Sequence, residues 1–132
     1  MAYNMQNWKI VSEHFEDTPF WAAGPIRNVA GNLLTTSNVT SMSYRVTLAS
    51  DGSEVASAAI SPIATYIHDT PKTIVDDSRW TWGGSFNFDF TVPSTCFPSG
   101  GVDYIVEFEA LDASSVPTVW GWRVTTVERY LA

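Results

Sequence analysis

Between residues 80 and 92 the chain alternates with unusual regularity. Trp80, Trp82, Phe86, Phe88, Phe90 and Val92 occupy the even positions, with Thr81, Ser85, Asn87, Asp89 and Thr91 between them. A period of two places all the large apolar groups on one side of a strand, whereas a helix would spread them around its circumference. The stretch therefore predicts a β-strand with one dry face that other strands must cover. Gly83-Gly84 interrupts it and predicts a bulge or tight bend.

The same period recurs elsewhere. Met42, Tyr44, Val46 and Leu48 alternate with Ser43, Arg45, Thr47 and Ala49, and Asp51-Gly52 supplies a hairpin turn into a return strand over 53–60. That return strand is rich in alanine, which predicts a close approach over it. Tyr104, Val106, Phe108 and Ala110 define a strand over 102–111, and Trp120, Trp122 and Val124 one over 118–130. These two are expected to pair as a hairpin, with Glu107 and Glu109 facing Arg123 or Thr125 across the ladder. Residues 8–15 allow a short first strand, and 29–34 a short edge strand. Residues 63–75 are ambiguous, with room for one or two brief strands. Residues 19–28 set Phe20 and Trp21 inside a Gly/Pro frame that suits neither helix nor strand, and they read as a loop.

No helix of useful length is predicted. About seven strands joined by turns define an all-β chain, an antiparallel two-sheet β-sandwich of immunoglobulin-like or jelly-roll-like form, ahead of a closed barrel. Residues 1–28 form an N-terminal arm and aromatic loop region that packs on the domain or on a neighbour, and residues 29–132 form the sandwich domain.

Composition narrows the function. In 132 residues, 16% are charged and 45% hydrophobic, with six Trp, five Tyr and seven Phe. So few charges beside so many rings exclude a disordered chain. The net charge of -7, with seven scattered basic residues, argues against a nucleic-acid or anionic membrane partner. Cys96 is the single cysteine, which rules out an intrachain disulfide and suits a small buried hydrophobe. The N-terminal stretch has no apolar signal core, so synthesis and first folding in a cytoplasm are expected. His14 and His68 have no metal-ligand spacing, and Asp76-Asp77 lacks that of a calcium loop. The metal, cofactor and catalytic-residue assignments are therefore none. Glu107 and Glu109 are the closest approach to a carboxylate pair, and a wet strand face explains them as well. The chain is read as non-enzymatic.

The aromatic residues are the signal that remains. Trp80, Trp82, Trp120 and Trp122 read first as core, because in-phase rings on neighbouring strands pack together. They are also numerous enough to supply a platform. Tyr3, Met5, Trp8, Phe20 and Trp21, in irregular segments, are the candidate partner-binding anchors. Trp80 and Trp82, with Phe20 and Trp21, are the alternative ligand-binding candidates for a carbohydrate-binding module that recognises host or other glycans.

The Tyr-Arg-Val-Thr-Leu strand with its Asp-Gly turn, then Phe-Asn-Phe-Asp-Phe-Thr-Val-Pro and Phe-Pro-Ser-Gly-Gly-Val-Asp-Tyr-Ile-Val-Glu-Phe-Glu, cover roughly residues 42–111. This stretch resembles the small β-sandwich virion structural proteins of tailed bacteriophages, including capsid decoration (cement) and head–tail accessory proteins. The resemblance implies a virion location, no cofactor, and contact with a major capsid or other virion protein. It also implies a homo-oligomer, dimer or trimer, that stabilises the particle through protein–protein contacts. Residues 1–28 lie outside it.

Overall fold

The computed structural model describes residues 8–73 and 85–129. Eight strands are present among them: β1 (Trp8–Phe15), β2 (Phe20–Gly24), β3 (Ser41–Leu48), β4 (Glu54–Ala59), β5 (Ile67–Thr73), β6 (Ser85–Val92), β7 (Asp103–Leu111) and β8 (Pro117–Val127). A single helical turn, α1 (Ile63–Tyr66), precedes β5. The strands form two sheets, ordered β1-β8-β7-β3-β4 and β2-β6-β5. The expected all-β two-sheet sandwich is what the chain forms. By strand order it is immunoglobulin-like: β2, β6 and β5 stand as strands B, E and D, and β3, β7 and β8 as C, F and G.

The alternation foreseen on β3, β7 and β8 governs the large sheet. Met42, Tyr44 and Val46 turn inward beside Tyr104, Val106, Phe108 and Ala110, and beside Trp120, Trp122 and Val124. The small sheet answers with Phe20, Ala22, Ile67, Phe88 and Val92. Phe88 of the small sheet crosses the interface to meet Phe108 and Trp120 edge-on at 4.9 and 5.0 Å, and those two rings lie parallel to each other within the large sheet at 5.7 Å. Edge-to-face contacts at such distances add to the burial term. Cys96 is buried in the core, as expected of a small hydrophobe.

At the corner between β6 and β7, Tyr104 places its hydroxyl against Ser99, accepting from the amide at 3.2 Å and donating to the carbonyl at 3.4 Å. This is the tyrosine corner of immunoglobulin sandwiches, and Val106 occupies the position of their second core cysteine. Nearby, the Glu16 carboxylate accepts from the Gly100 and Arg129 amides at 2.7 and 3.1 Å. A Cβ on Gly100 would lie 2.6 Å from the Glu128 backbone, so only glycine fits there.

Several elements differ from expectation. Residues 20–24 form strand β2, because β6 accepts them in unbroken antiparallel register from Phe20↔Val92 to Gly24↔Phe88. Their prolines lie just outside the paired residues. Residues 29–34 form a turn, with one bridge between Arg27 and Leu33, because Asn28 Oδ1 accepts from the Ala30 and Asn32 amides. Thr36–Asn38 makes a 3-10 turn. The first half of the 80–92 alternation lies outside the described residues. The second half breaks at Asn87, which is 1% exposed between buried Phe86 and Phe88.

Asn87 is buried because it satisfies a loop. Its Oδ1 accepts from the Ile26 amide at 2.7 Å, and its Nδ2 donates to the carbonyls of Ile26 and Leu34 at 3.0 and 2.9 Å. One side chain thus holds the β2–β3 connection over the sandwich edge. Asn87→Ala leaves three buried backbone groups without this partner and is expected to cost about 2–4 kcal/mol in urea unfolding.

Candidate functional site

Three surface regions carry exposed or polar features, and the strands place each. The first is the outer face of the large sheet at β4-β3-β7. Register sets Ser43 beside Ala59 and Glu109, and Arg45 beside Ser57 and Glu107. The small side chains of β4 leave a polar groove of about 450 Å³ between them, bounded also by Glu54. Arg45 reaches Glu107 at 3.6 Å. The expected pairing of Glu107 or Glu109 with Arg123 or Thr125 does not form. Gly121 and Val119 stand opposite these glutamates, and Arg123 and Thr125 instead bond Asp103 at 2.7 and 2.8 Å. The Asp103 carboxyl is held below its ordinary range by these two bonds.

The second region is the outer face of the small sheet. Asp89 joins its three strands: Trp21 Nε1 donates to Oδ2 at 3.1 Å, and His68 Nε2 bonds Oδ1. Phe86 packs edge-on against Trp21 and His68 at 5.5 and 5.9 Å. A histidine–carboxylate pair is half of an acid–base apparatus. Among the described residues the rings of Trp21 and Phe86 lie beside it, and these contacts link β2, β6 and β5. No group of three or more metal-ligating side chains occurs among the described residues.

The third region is the flank of the large sheet at β1. This strand runs parallel to β8 and leaves Ile10 81% and Phe15 53% exposed. Exposed side chains of this size on an edge strand are available for contact. A smaller hollow of about 150 Å³ lies between the β2–β3 and β7–β8 connections, beside exposed Val29 and Val116.

The proposed anchors scatter over this frame. Tyr3 and Met5 lie outside the described residues, as do Trp80 and Trp82. Trp8 opens β1 opposite Gly121. Phe20 is buried against Phe97 and Trp122, so in this fold it belongs to the domain's own core. Trp21 is half-buried, with its indole N–H on Asp89. Trp120 and Trp122 are core residues, as the first reading of the Trp pairs had it. Sequence reasoning missed Ile10 and Phe15, because β1 lacked a clear alternation, and it missed the groove, which needs the register of three strands. Comparison with protein-family models, with curated proteins and with solved structures finds no match.

Two predictions follow from the polar contacts. Asp69 Oδ1 and Oδ2 accept from the Thr36 amide and hydroxyl at 2.7 and 2.8 Å, which lowers its pKa from the ordinary 3.8. A carboxyl with a depressed folded pKa contributes stability above 3.8 that is lost as the pH falls through the folded value. Thermal midpoints measured across that range should fall in acid, and fall less steeply in Asp69→Asn. Burial pushes the Cys96 thiol up, against a smaller opposing effect of its bond with Tyr44. Iodoacetamide should therefore leave the native protein unlabelled and modify one site after urea unfolding.

Proposed function

We propose that this domain is a non-enzymatic virion structural protein, a capsid decoration (cement) or accessory component of a phage particle acting through protein–protein contacts. The observation that carries the reading is β1. It is an edge strand beside β8 and displays Ile10 and Phe15 to solvent. A specific interface hides about 1,200–2,000 Å² in total around apolar anchors, with a polar rim. Ile10 and Phe15 suit such a centre, and Glu13 beside them suits the rim. Trp8 opens the same strand, and Tyr3 and Met5 precede it in the sequence. The partner is a major capsid or other virion protein, the domain itself is a dimer or trimer, and no cofactor, nucleic acid or membrane takes part. The acidic net charge favours a neutral or basic partner face and gives orientation more than affinity.

The test uses particles of the phage that carries the gene. Ile10→Asp with Phe15→Asp should reduce incorporation at least tenfold, while the far-ultraviolet spectrum of the free protein stays that of a β-sandwich. Undiminished incorporation of the double variant, or purified particles without any copy of the protein, overturns the reading. Saturable quenching of tryptophan fluorescence by a polysaccharide in the latter case transfers support to the carbohydrate-binding alternative.

A further inference from the structure

We infer that β4 is a docking edge: an extended, basic segment of a partner protein adds to it as a further strand of the large sheet. Among the described strands the two sheets have four edges, β1, β4, β2 and β5. Native edges are blunted by bulges, prolines, charges or shortness, because an unpaired ladder otherwise recruits another chain. At β1 the register slips between Val11 and His14, with Glu13 at φ 68. At β5, Pro71 and Lys72 interrupt the strand and its register slips too. At β2 the strand has five residues, with Pro19 before and Pro25 after it. β4 carries no proline or lysine, and Glu54 at its start is its one charge. Its irregularity falls at Val55, so Ala56–Ala59 remain in unbroken register with Val46–Ser43.

The Ile60 amide donates to the Met42 carbonyl at 2.8 Å, which marks Met42 and Ile60 as a hydrogen-bonded pair. Antiparallel pairs alternate. Ala58 and Ala56 are therefore bonded to β3, whereas Ser57 and Ala59 direct their amides and carbonyls away from it. Those two residues offer up to four backbone bonds to an incoming strand. Both are solvent-exposed or nearly so, and their side chains are too small to screen the edge.

Charge selects the occupant. Alternate side chains of an added strand would lie over the outer face, alongside the groove. Among the described residues that groove is lined by Glu54, Glu107 and Glu109 and by Arg45, whose guanidinium pairs with Glu107, so Glu54 and Glu109 keep it acidic. A second copy of this chain would bring its own carboxylates to the same place. A strand with Lys or Arg at alternate positions matches the charge instead. The inference deepens the proposed function and rests on that reading for its biological setting. It gives the domain contacts at both edges of one sheet, four strand spacings or about 19 Å apart, as a bridge between two neighbours requires.

The probe is a fluorescein-labelled Lys-Val-Lys-Val-Lys-Val-Lys peptide, with Glu-Val-Glu-Val-Glu-Val-Glu as its acidic counterpart, titrated into the full chain by anisotropy. The basic peptide should bind saturably, the acidic one at least tenfold more weakly, and added salt should weaken the former. Amide exchange should slow at Ser57 and Ala59 in the complex. Ser57→Pro removes one outward donor and spares the bonds to β3, so it should weaken binding at least tenfold. Should that variant fold poorly, Glu109→Lys, which leaves the backbone alone, should give a comparable loss. Absence of saturable binding, equal affinity for the two peptides, or protection elsewhere than β4 overturns the inference. So does a concentration-dependent dimer that protects Ser57 and Ala59 without peptide, which would identify a second copy as the occupant. Binding at β4 by a protein absent from particles would leave this inference standing and remove the virion assignment. Incorporation that needs Ile10 and Phe15, with no peptide binding at β4, would do the reverse.

Discussion

Phe88 reaches across from the small sheet and sets itself edge-on to the stacked rings of Phe108 and Trp120, 4.9 and 5.0 Å from their centroids. Two sheets that each bury one face have no other strong reason to stay together, since the backbone bonds run within sheets and not between them. Three fully buried rings remove much more apolar surface from water than aliphatic residues at the same positions could. The other contacts arrange themselves around this one. Tyr44 and Phe90 extend the ring cluster toward β4, and Phe20, Phe97 and Trp122 extend it toward β1. The abundance of aromatic residues that suggests a platform is therefore largely consumed by the interior. Trp120 even leaves its indole N–H without a hydrogen-bond partner, so its place is set by ring packing and not by polar satisfaction.

Strands whose two faces differ sharply were legible in the sequence. β3 and β7 bury one face and leave the other partly open, so alternation located them; β8 is buried on both faces from Thr118 to Trp122 and was located by its in-phase Trp120, Trp122 and Val124, and the Asp-Gly turn located β4. β2 was hidden because Phe-Trp-Ala-Ala-Gly is buried almost throughout, which erases the period of two, and because its prolines resemble loop markers. Only the offer of hydrogen bonds from β6 makes a strand of it. Asn87 was misleading for the opposite reason: it occupies a position that reads as wet, yet a folded-back loop supplies its polar partners inside. The ion pairs were not legible. Which carboxylate meets which guanidinium depends on strand order, and β3 lies beside β7 only in the assembled sheet.

The surface regions divide along the same line. Ile10 and Phe15 are ordinary apolar residues in the sequence and become noteworthy only once β1 is found at an edge. The groove exists because Ser57 and Ala59 are small where Arg45, Glu107 and Glu109 are long, a relation among three strands. By contrast, the run of alanine and serine in β4 was visible from the start and predicted a close approach. No described element passes over it: Ser57, Ala58 and Ala59 are exposed, and their small side chains open the groove instead.

The pairing of β1 with β8 has a mechanical consequence. The two strands run parallel, and one lies near each end of the described chain. Tension applied outward through those two ends draws β1 backward along its own axis and β8 forward along its axis. Parallel neighbours loaded in that way are sheared, so the six paired positions must give together instead of opening one by one. A domain tethered by both ends would thus resist stretching as a clamp, with its rate of yielding set by the barrier to losing the whole ladder at once.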